Sequence, residues 1–397
     1  MKPLADLTVI AVEQYGAGPF GSLQLAQLGA DVIKVENLRE GGDSGRRVRH
    51  RSEAEVDGDS LFFQTFNLGK RSIAIDLASD EGRAILHKLV RCADAVYNNL
   101  RGNTQDKLGI TYAKLREVNP RIVCVHLTAY GRRGSRKSWP GYDYLVQSEA
   151  GYLSVTGEPN SPPTRMGLSI VDQASGVQAA LALVSGVMSA RRTGVGADLD
   201  VSLYATGLAH LTYLGTWYLN TGHVQGREPR SSHPNLTPSQ LQRTADGWLF
   251  VMVNKEKFWP LLVEALGRPA ALADDAFATF AGRLTHRARL TRLLDEIFMQ
   301  QPTAYWVERL TGTIPVAPVL DVGGALDNPY AQEAGRIGAV ERDGAPIRVL
   351  APAIEIDGAP LPQRAAPRPG EHADAILANL GYAPKAIARL RAQGVVE

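Results

Sequence analysis

The sequence predicts an α/β chain of two domains, the first built on a parallel sheet covered by helices. Three observations carry this expectation. Strand runs alternate with helical stretches through the first half, which is the rhythm of βαβ units. The length of 397 residues exceeds what one ordinary core organises. A later strand-and-helix region is set off by loops rich in Gly, Pro, Ser and Asn at 222–238 and 317–329.

The elements follow in order. Leu7 to Glu13 and Asp31 to Glu36 are apolar runs of strand length, followed by Ser72 to Asp76, Asp94 to Tyr97 and Ile122 to Leu127. Between them, Glu81 to Cys92 carries Ile85, Leu86, Leu89 and Val90 at helical spacing. Asp43 to Val56, with Arg46, Arg47, Arg49 and Arg51, interrupts the rhythm and reads as an excursion over the surface. Gln173 to Arg192 predicts a long helix with Val177, Leu181, Val184 and Met188 on one face, stopped by Gly194 after a basic last turn. A third region opens at Trp248 to Val253. The tail is proline-rich from Pro352 to Pro369 and helical from Glu371 to Leu380.

Composition excludes several classes. Apolar residues at 44% and charged residues at 21% are ordinary for a globular enzyme, and a formal net charge of +2 excludes a strongly basic nucleic-acid binder. Two cysteines, Cys92 and Cys124, sit in apolar stretches and read as reduced thiols. No Cys/His cluster has metal-ligand spacing, so no metal is expected. The N-terminus lacks the apolar core of a signal peptide, and the apolar stretch from Ala179 to Ala190 is too short for a bilayer. The expected address is the cytoplasm, with no membrane partner.

After the first strand run comes Gly16-Ala17-Gly18-Pro19-Phe20-Gly21, a G-x-G-x-x-G pattern, and Glu36 follows 20 residues beyond Gly16. That is where a dinucleotide site places its ribose-binding acid. The pattern equally describes a tight strand-to-helix turn without a ligand. Pro19 lacks an N–H, which removes one donor from any pyrophosphate site.

Longer blocks carry more information. AGPFGSLQLAQLGADVIKVE (17–36), FNLGKRSIAIDL (66–77), PGYDYLVQSEAGYLSVTG (140–157) and the segment 165–203 around IVDQASG resemble the class III CoA-transferases, the family of carnitine- and formyl-CoA-transferases. IPVAPVLDV (314–322) and APRPGEHADAIL (366–377) are similar to the same family's closing motifs. The resemblance implies a Rossmann-like large domain built from both chain ends (1–215 and 330–397). It also implies a smaller α+β domain (225–325), linkers at 216–224 and 326–329, and an interlocked homodimer.

It implies chemistry too. The nucleophile of a D-x-x-x-G pattern, after a short strand and before a helix, falls on Asp172, with Gly176 closing the pattern. Its carboxylate would carry CoA between two carboxylic acids as an anhydride and then a thioester, so that one hard exchange becomes several easier ones. A helix start should keep this Asp ionised. The alternative for an Asp at a helix start is an N-cap. CoA contacts carry over to Gly16, Ala17, Ile75 to Ala78, Asn99, Leu100, Arg101, Tyr142 and Asp143. Lys107 and Asn37 stand where formyl-CoA transferase has arginines, and Arg39, Arg46 or Arg47 are candidates for the missing charge. On the substrate side stand His233, Arg46 and Arg47, with Arg227, Arg230 and Arg243 nearby in sequence. They suggest a small dicarboxylate acceptor of the succinate or mesaconate type, not formate or oxalate. α-Methylacyl-CoA racemases have His where this chain has Tyr142, which favours transfer over racemisation. An NAD-dependent oxidoreductase, resting on the glycines and Glu36, is the competing reading from another class.

Overall fold

A computed structural model describes residues 1–53 and 59–397, so the end of the arginine-rich excursion (54–56) lies outside the described residues. Two compact units emerge. The first comprises Met1–Ala150, Gly167–Thr212 and Gln332–Glu397; the second comprises Gly151–Met166 and Tyr213–Ala331. Gly151–Met166 therefore groups with the second unit, whereas the sequence reading placed it in the large domain.

The first unit holds a six-stranded sheet: β1 (Thr8–Val12), β2 (Asp31–Asn37), β3 (Arg71–Ile75), β4 (Ala95–Asn98), β5 (Val123–Thr128) and β6 (Ala197–Ser202). All five pairings are parallel, in the order β3-β2-β1-β4-β5-β6. This is the order of the doubly wound dinucleotide fold. Every residue of β5 is buried, as a strand covered on both faces requires. The helix Asp80–Cys92 starts on Ser79, whose side chain accepts the Gly82 N–H, and it buries the four expected residues Ile85, Leu86, Leu89 and Val90. The chain's end returns to the sheet. Ala373, Ile376, Leu377, Ile387 and Leu390 join the same core, Val396 bridges Ile75, and the Asp76 N–H donates to Val395 O at 2.9 Å.

The long helix runs from Ile170 to Thr193 and ends on left-handed Gly194. It starts earlier than the sequence predicts, and no strand precedes it. At 24 residues it is long and apolar enough by length and composition to cross a membrane, which corrects the shorter apolar stretch read from the sequence. Small residues explain its place in the fold. Gly176 approaches the first helix, Ala17–Gln27, so closely that a Cβ would sit 2.7 Å from Ala17 O and 2.9 Å from Gly21 N. A Cβ on Gly21 would in turn meet Gly176 O at 2.6 Å and the Tyr97 hydroxyl at 2.4 Å. Two glycines of the sequence motifs are thus required by a helix crossing. The face carrying Val177, Leu181 and Met188 is exposed, while Ala179, Ala180, Leu183, Val187 and Ala190 are buried.

The second unit has a three-stranded antiparallel sheet, β7 (Ser239–Arg243), β8 (Trp248–Met252) and β9 (Val316–Pro318). Its core gathers Leu249, Val251, Leu262, Phe277, Leu290, Leu294, Phe298 and Leu310. A hairpin of β10 (Ile337–Arg342) and β11 (Ala345–Leu350), absent from the sequence reading, turns on Asp343 and Gly344, both at positive φ.

Candidate active site

Strand order reverses between β1 and β4, and open α/β sheets present a crevice beyond the carboxyl ends of their strands at such a point. Two cavities lie there, of about 420 Å³ and about 260 Å³, and they share Gln14, Glu40, Leu100 and Thr104. The larger is walled by the turn after β1 (Gln14 to Ala17), the turn after β4 (Asn99 to Arg101), the end of β5, Trp139 to Tyr142, and Asp172. The smaller lies beyond β1, β2 and β3, against Val12, Val35, Ile75, Leu77, Ala78 and Leu108.

The turn after β1 is held from two sides. The Asn99 amide donates to Gln14 O at 2.8 Å, and its carbonyl accepts the Gln14 N–H at 2.9 Å, which ties the ends of β1 and β4. Tyr15 sits at φ 70°, an uncommon conformation for a bulky residue. Its N–H donates to Asp43 Oδ1 at 2.9 Å, and Asp43 is anchored on the buried Lys34 ammonium at 2.8 Å. That ammonium also donates to Glu13 O. A buried ion-pair network thus supports a strained turn at the cavity.

Asp172 occupies the first turn of the long helix, two residues inside its start. Its carboxylate reaches the cavity opposite the glycine turn, where a Cβ on Gly16 would stand 3.0 Å from Oδ2. The helix's own N-cap residue, Ser169, provides no side-chain bond. Asp143 caps the helix instead, accepting the Val171 N–H at 2.7 Å and the Asp172 N–H at 3.0 Å on Oδ2. The Gln147 amide holds the other oxygen of Asp143 at 2.5 Å. Burial, and then the nearby Asp143 charge, push the Asp172 carboxyl up to about 7. The expectation that the helix start keeps Asp172 firmly ionised is therefore corrected, because desolvation and a like charge outweigh the dipole.

The other sequence candidates divide. Gly16, Ala17, Asn99, Leu100, Arg101 and Tyr142 line the larger cavity with Asp172. Ile75 and Ala78 line the smaller one, which Leu100 also borders. Asp143 is buried behind Asp172 and lines neither; the structure gives it a capping role instead of the expected place at the cavity wall. Lys107 is exposed on the short helix Gln105–Leu108 and also lines neither.

Arg46 is a correction: it is buried, with Nε donating to Glu36 at 2.8 Å and Nη1 reaching Asp59 at 2.8 Å. It has no free face for a substrate, and a segment read as a surface excursion anchors Asp43 and Arg46 in the interior. Arg47 is exposed and donates to Gly41 O. Glu36, the acid expected at a ribose in the dinucleotide reading, is taken by Arg46 and by the Ser72 hydroxyl at 2.6 Å.

His233 belongs to the second unit, where Nδ1 accepts the Asn235 and Leu236 N–H groups at 3.1 and 3.2 Å. Arg227 and Arg230, in the same unit, are engaged by Ser161 O and by Asp295. Among the described residues no group of three or more His, Cys, Asp or Glu could hold a metal ion.

Sequence reasoning missed Tyr15, Trp139 and Glu40 as wall residues. Tyr15 had a signal, since it directly precedes the glycine turn. Trp139 and Glu40 reach the cavity only through tertiary folding.

Residues 4–373 match the family described as CoA-transferase family III. The chain is 32% identical over 392 residues to the succinate–glutarate CoA-transferase of Agrobacterium fabrum, covering 95% of this chain and 96% of that one. It is 31% identical over 353 residues to the acetyl-CoA:oxalate CoA-transferase of Acetobacter aceti, covering 87% and 89%. It is 30% identical over 392 residues to the succinyl-CoA:mesaconate CoA-transferase of Haloarcula hispanica, covering 96% and 97%. The crystal structure of a CAIB/BAIF family protein from Brucella suis superposes with a TM-score of 0.83 at 30% identity, covering 96% of this chain and 99% of that one.

Proposed function

The chain belongs to CoA-transferase family III, and we propose that it moves CoA from an acyl-CoA to a dicarboxylic acid through covalent intermediates on Asp172. The observation that carries this is the Asp172 carboxylate, set on the first turn of a helix and opening into the cavity at the carboxyl edge of the sheet.

The steps balance without water or an external proton. An Asp172 oxygen attacks the donor thioester carbonyl, the carbon–sulfur bond breaks, and CoA leaves as the thiolate. The thiolate then attacks Cγ of Asp172 and the anhydride C–O bond breaks, which releases the donor acid as its carboxylate. An acceptor carboxylate attacks the resulting aspartyl-CoA thioester, and the returning thiolate attacks the acceptor's carbonyl, restoring Asp172. Gly16 leaves room for the tetrahedral carbon beside Oδ2. Asp143 fixes the helix start on which the nucleophile stands. Burial makes the ionised carboxylate a poorly solvated and hence more reactive group.

The competing readings lose their supports. Glu36 is committed to Arg46 and Ser72, which leaves the NAD-dependent reading without its acid. Tyr142, exposed at the cavity and edge-on to Tyr15 at 6.3 Å, is a poor proton shuttle for racemisation. The names of the relatives favour small dicarboxylates, oxalate among them, so the exclusion of oxalate is not kept in this proposal.

The proposal includes a homodimer: Val177, Leu181 and Met188 form an exposed apolar stripe on the long helix, as a buried interface would need. It also includes a cytoplasmic address, which suits two unpaired cysteines. The test offers succinyl-CoA with succinate, mesaconate, glutarate, oxalate or butyrate as acceptor. Transfer to the dicarboxylates and little to butyrate is expected; equal use of butyrate would remove the dicarboxylate claim.

A further inference from the structure

We propose that His126 and Asp198 are positioning residues for CoA, locking together two loops that wall the larger cavity, the turn after β4 and the loop after β5. The inference rests on the CoA-transferase reading and names residues that act through the cavity wall without touching the substrate.

His126 lies within β5 and is fully buried, with both ring nitrogens engaged. Sheet register sets Asn98 of β4 opposite it. The Asn98 amide nitrogen meets Nδ1 at 2.9 Å, and since a side-chain NH2 only donates, Nδ1 is the accepting nitrogen. Nε2 then carries the hydrogen and donates to Asp198 Oδ1 at 2.8 Å. The chain of bonds continues beyond Asn98. Its Oδ1 accepts the Gln105 amide at 3.2 Å and the Leu100 N–H at 3.4 Å, and the Gln105 amide also donates to Leu100 O at 3.1 Å. Leu100 borders both cavities, and its neighbours Asn99 and Arg101 line the larger one. Side chains thus connect β6, across the sheet, to the backbone of the wall.

Asp198 has a second arm. Arg132 reaches its Oδ2 at 3.4 Å and donates to Asp200 Oδ1 at 2.5 Å. Arg132 begins the loop that brings Trp139, Pro140 and Gly141 to the larger cavity. The Tyr112 N–H donates to Asp198 Oδ1 at 2.8 Å and fixes the carboxylate further. Burial opposes its charge, but His126, the Tyr112 N–H and Arg132 together hold the carboxyl below the ordinary range. The two loops also meet backbone to backbone. A Cβ on Gly102 would stand 2.4 Å from Gly131 O and 3.0 Å from Arg132 Cα, so neither loop shifts without the other.

An apolar side chain would fill the place of His126 without burying an imidazole. What the polar chain adds is direction, because each member orients the next and the last atoms held belong to the cavity wall. None of His126, Asn98, Gln105, Arg132 and Asp198 lines either cavity. Their effect therefore falls on how the wall receives CoA, and not on bond-breaking at Asp172.

Calorimetry with CoA and steady-state kinetics with an acyl-CoA test this on the full-length protein. His126→Leu removes both bonds, whereas His126→Gln offers one acceptor and one donor in their place. His126→Leu should weaken CoA binding and raise KM by about tenfold or more, with kcat changed less than about threefold, as loss of binding common to ground and transition states requires. His126→Gln should recover most of the affinity. A residue that only fills the core would lower the unfolding temperature and leave Kd and KM in place. Wild-type CoA affinity in folded His126→Leu, or no recovery in folded His126→Gln, overturns the inference. Should His126→Leu not fold, Arg132→Gln decides at a partly exposed position: CoA affinity lowered by about threefold or more supports the inference, and unchanged affinity overturns it. A wild type that binds no CoA overturns the CoA-transferase reading, and this inference with it.

Discussion

At the scale of single residues, the site turns on two carboxylates with different duties. Asp172 faces the cavity, whereas Asp143 is buried behind it and caps its helix. Because burial and the Asp143 charge raise the Asp172 carboxyl to about 7, the ionised form, which the proposed mechanism uses, gains population as pH rises through that value. kcat/KM should therefore climb with pH to a plateau above about 7. Asp143→Asn removes the second of the two causes and keeps an oxygen for the cap, so the midpoint should move to lower pH without returning to that of a free Asp. A pH–rate profile of both proteins checks this, and an unmoved midpoint would show that Asp143 acts only as a cap. Family resemblance, carried by a local motif, singled out Asp172, and the structure sets that residue at the cavity. The sequence hid Asp143's role, because a helix cap supplied from 29 residues earlier has no signature in either segment. Arg46 was misread for a related reason. An arginine-rich run reads as solvated charge, and only the fold brings Glu36 and Asp59 around it.

At the scale of elements, the crossing of the helices Ala17–Gln27 and Ile170–Thr193 joins the glycine turn to Asp172. Gly176→Ala would drive a methyl group into Ala17 O and Gly21 N, both backbone atoms that cannot rotate away. Overpacking of this kind costs about 1–3 kcal/mol. Chemical denaturation should show that loss, and kcat should fall with it because the helices must part beneath Gly16 and Asp172. A Gly176→Ala protein with unchanged stability and rate would refute the crossing. The strands were readable as short apolar runs, since they are buried on both faces, and the helix Asp80–Cys92 from the helical spacing of its buried residues. The hairpin β10–β11 was not read, although Asp343-Gly344 between strand-forming residues is a turn signal. Its flanking residues are largely exposed, so no apolar alternation drew attention to it. The glycine pattern after β1 was readable as a tight turn, but pattern alone does not distinguish a nucleotide contact from helix packing. The positions of Gly21 and Gly176 assign at least those two glycines to packing.

At the scale of the whole molecule, the parallel sheet was implied by the alternation of strand and helix runs in the sequence, whereas its strand order and switch point were not, and the cavities lie where that topology puts them. The return of the chain's end to the sheet was legible only through family resemblance, because a contact such as Ile75 with Val396 leaves no periodic trace. The central claim is that Asp172 becomes covalently bonded to the CoA sulfur. Intact-mass spectrometry after mixing the enzyme with an acyl-CoA, without an acceptor and with hydroxylamine as a trap, tests it most directly. The account predicts a hydroxamate adduct that peptide mapping places on Asp172 and that is absent from Asp172→Ala. An adduct on another residue, or full transferase activity in a folded Asp172→Ala protein, would contradict it.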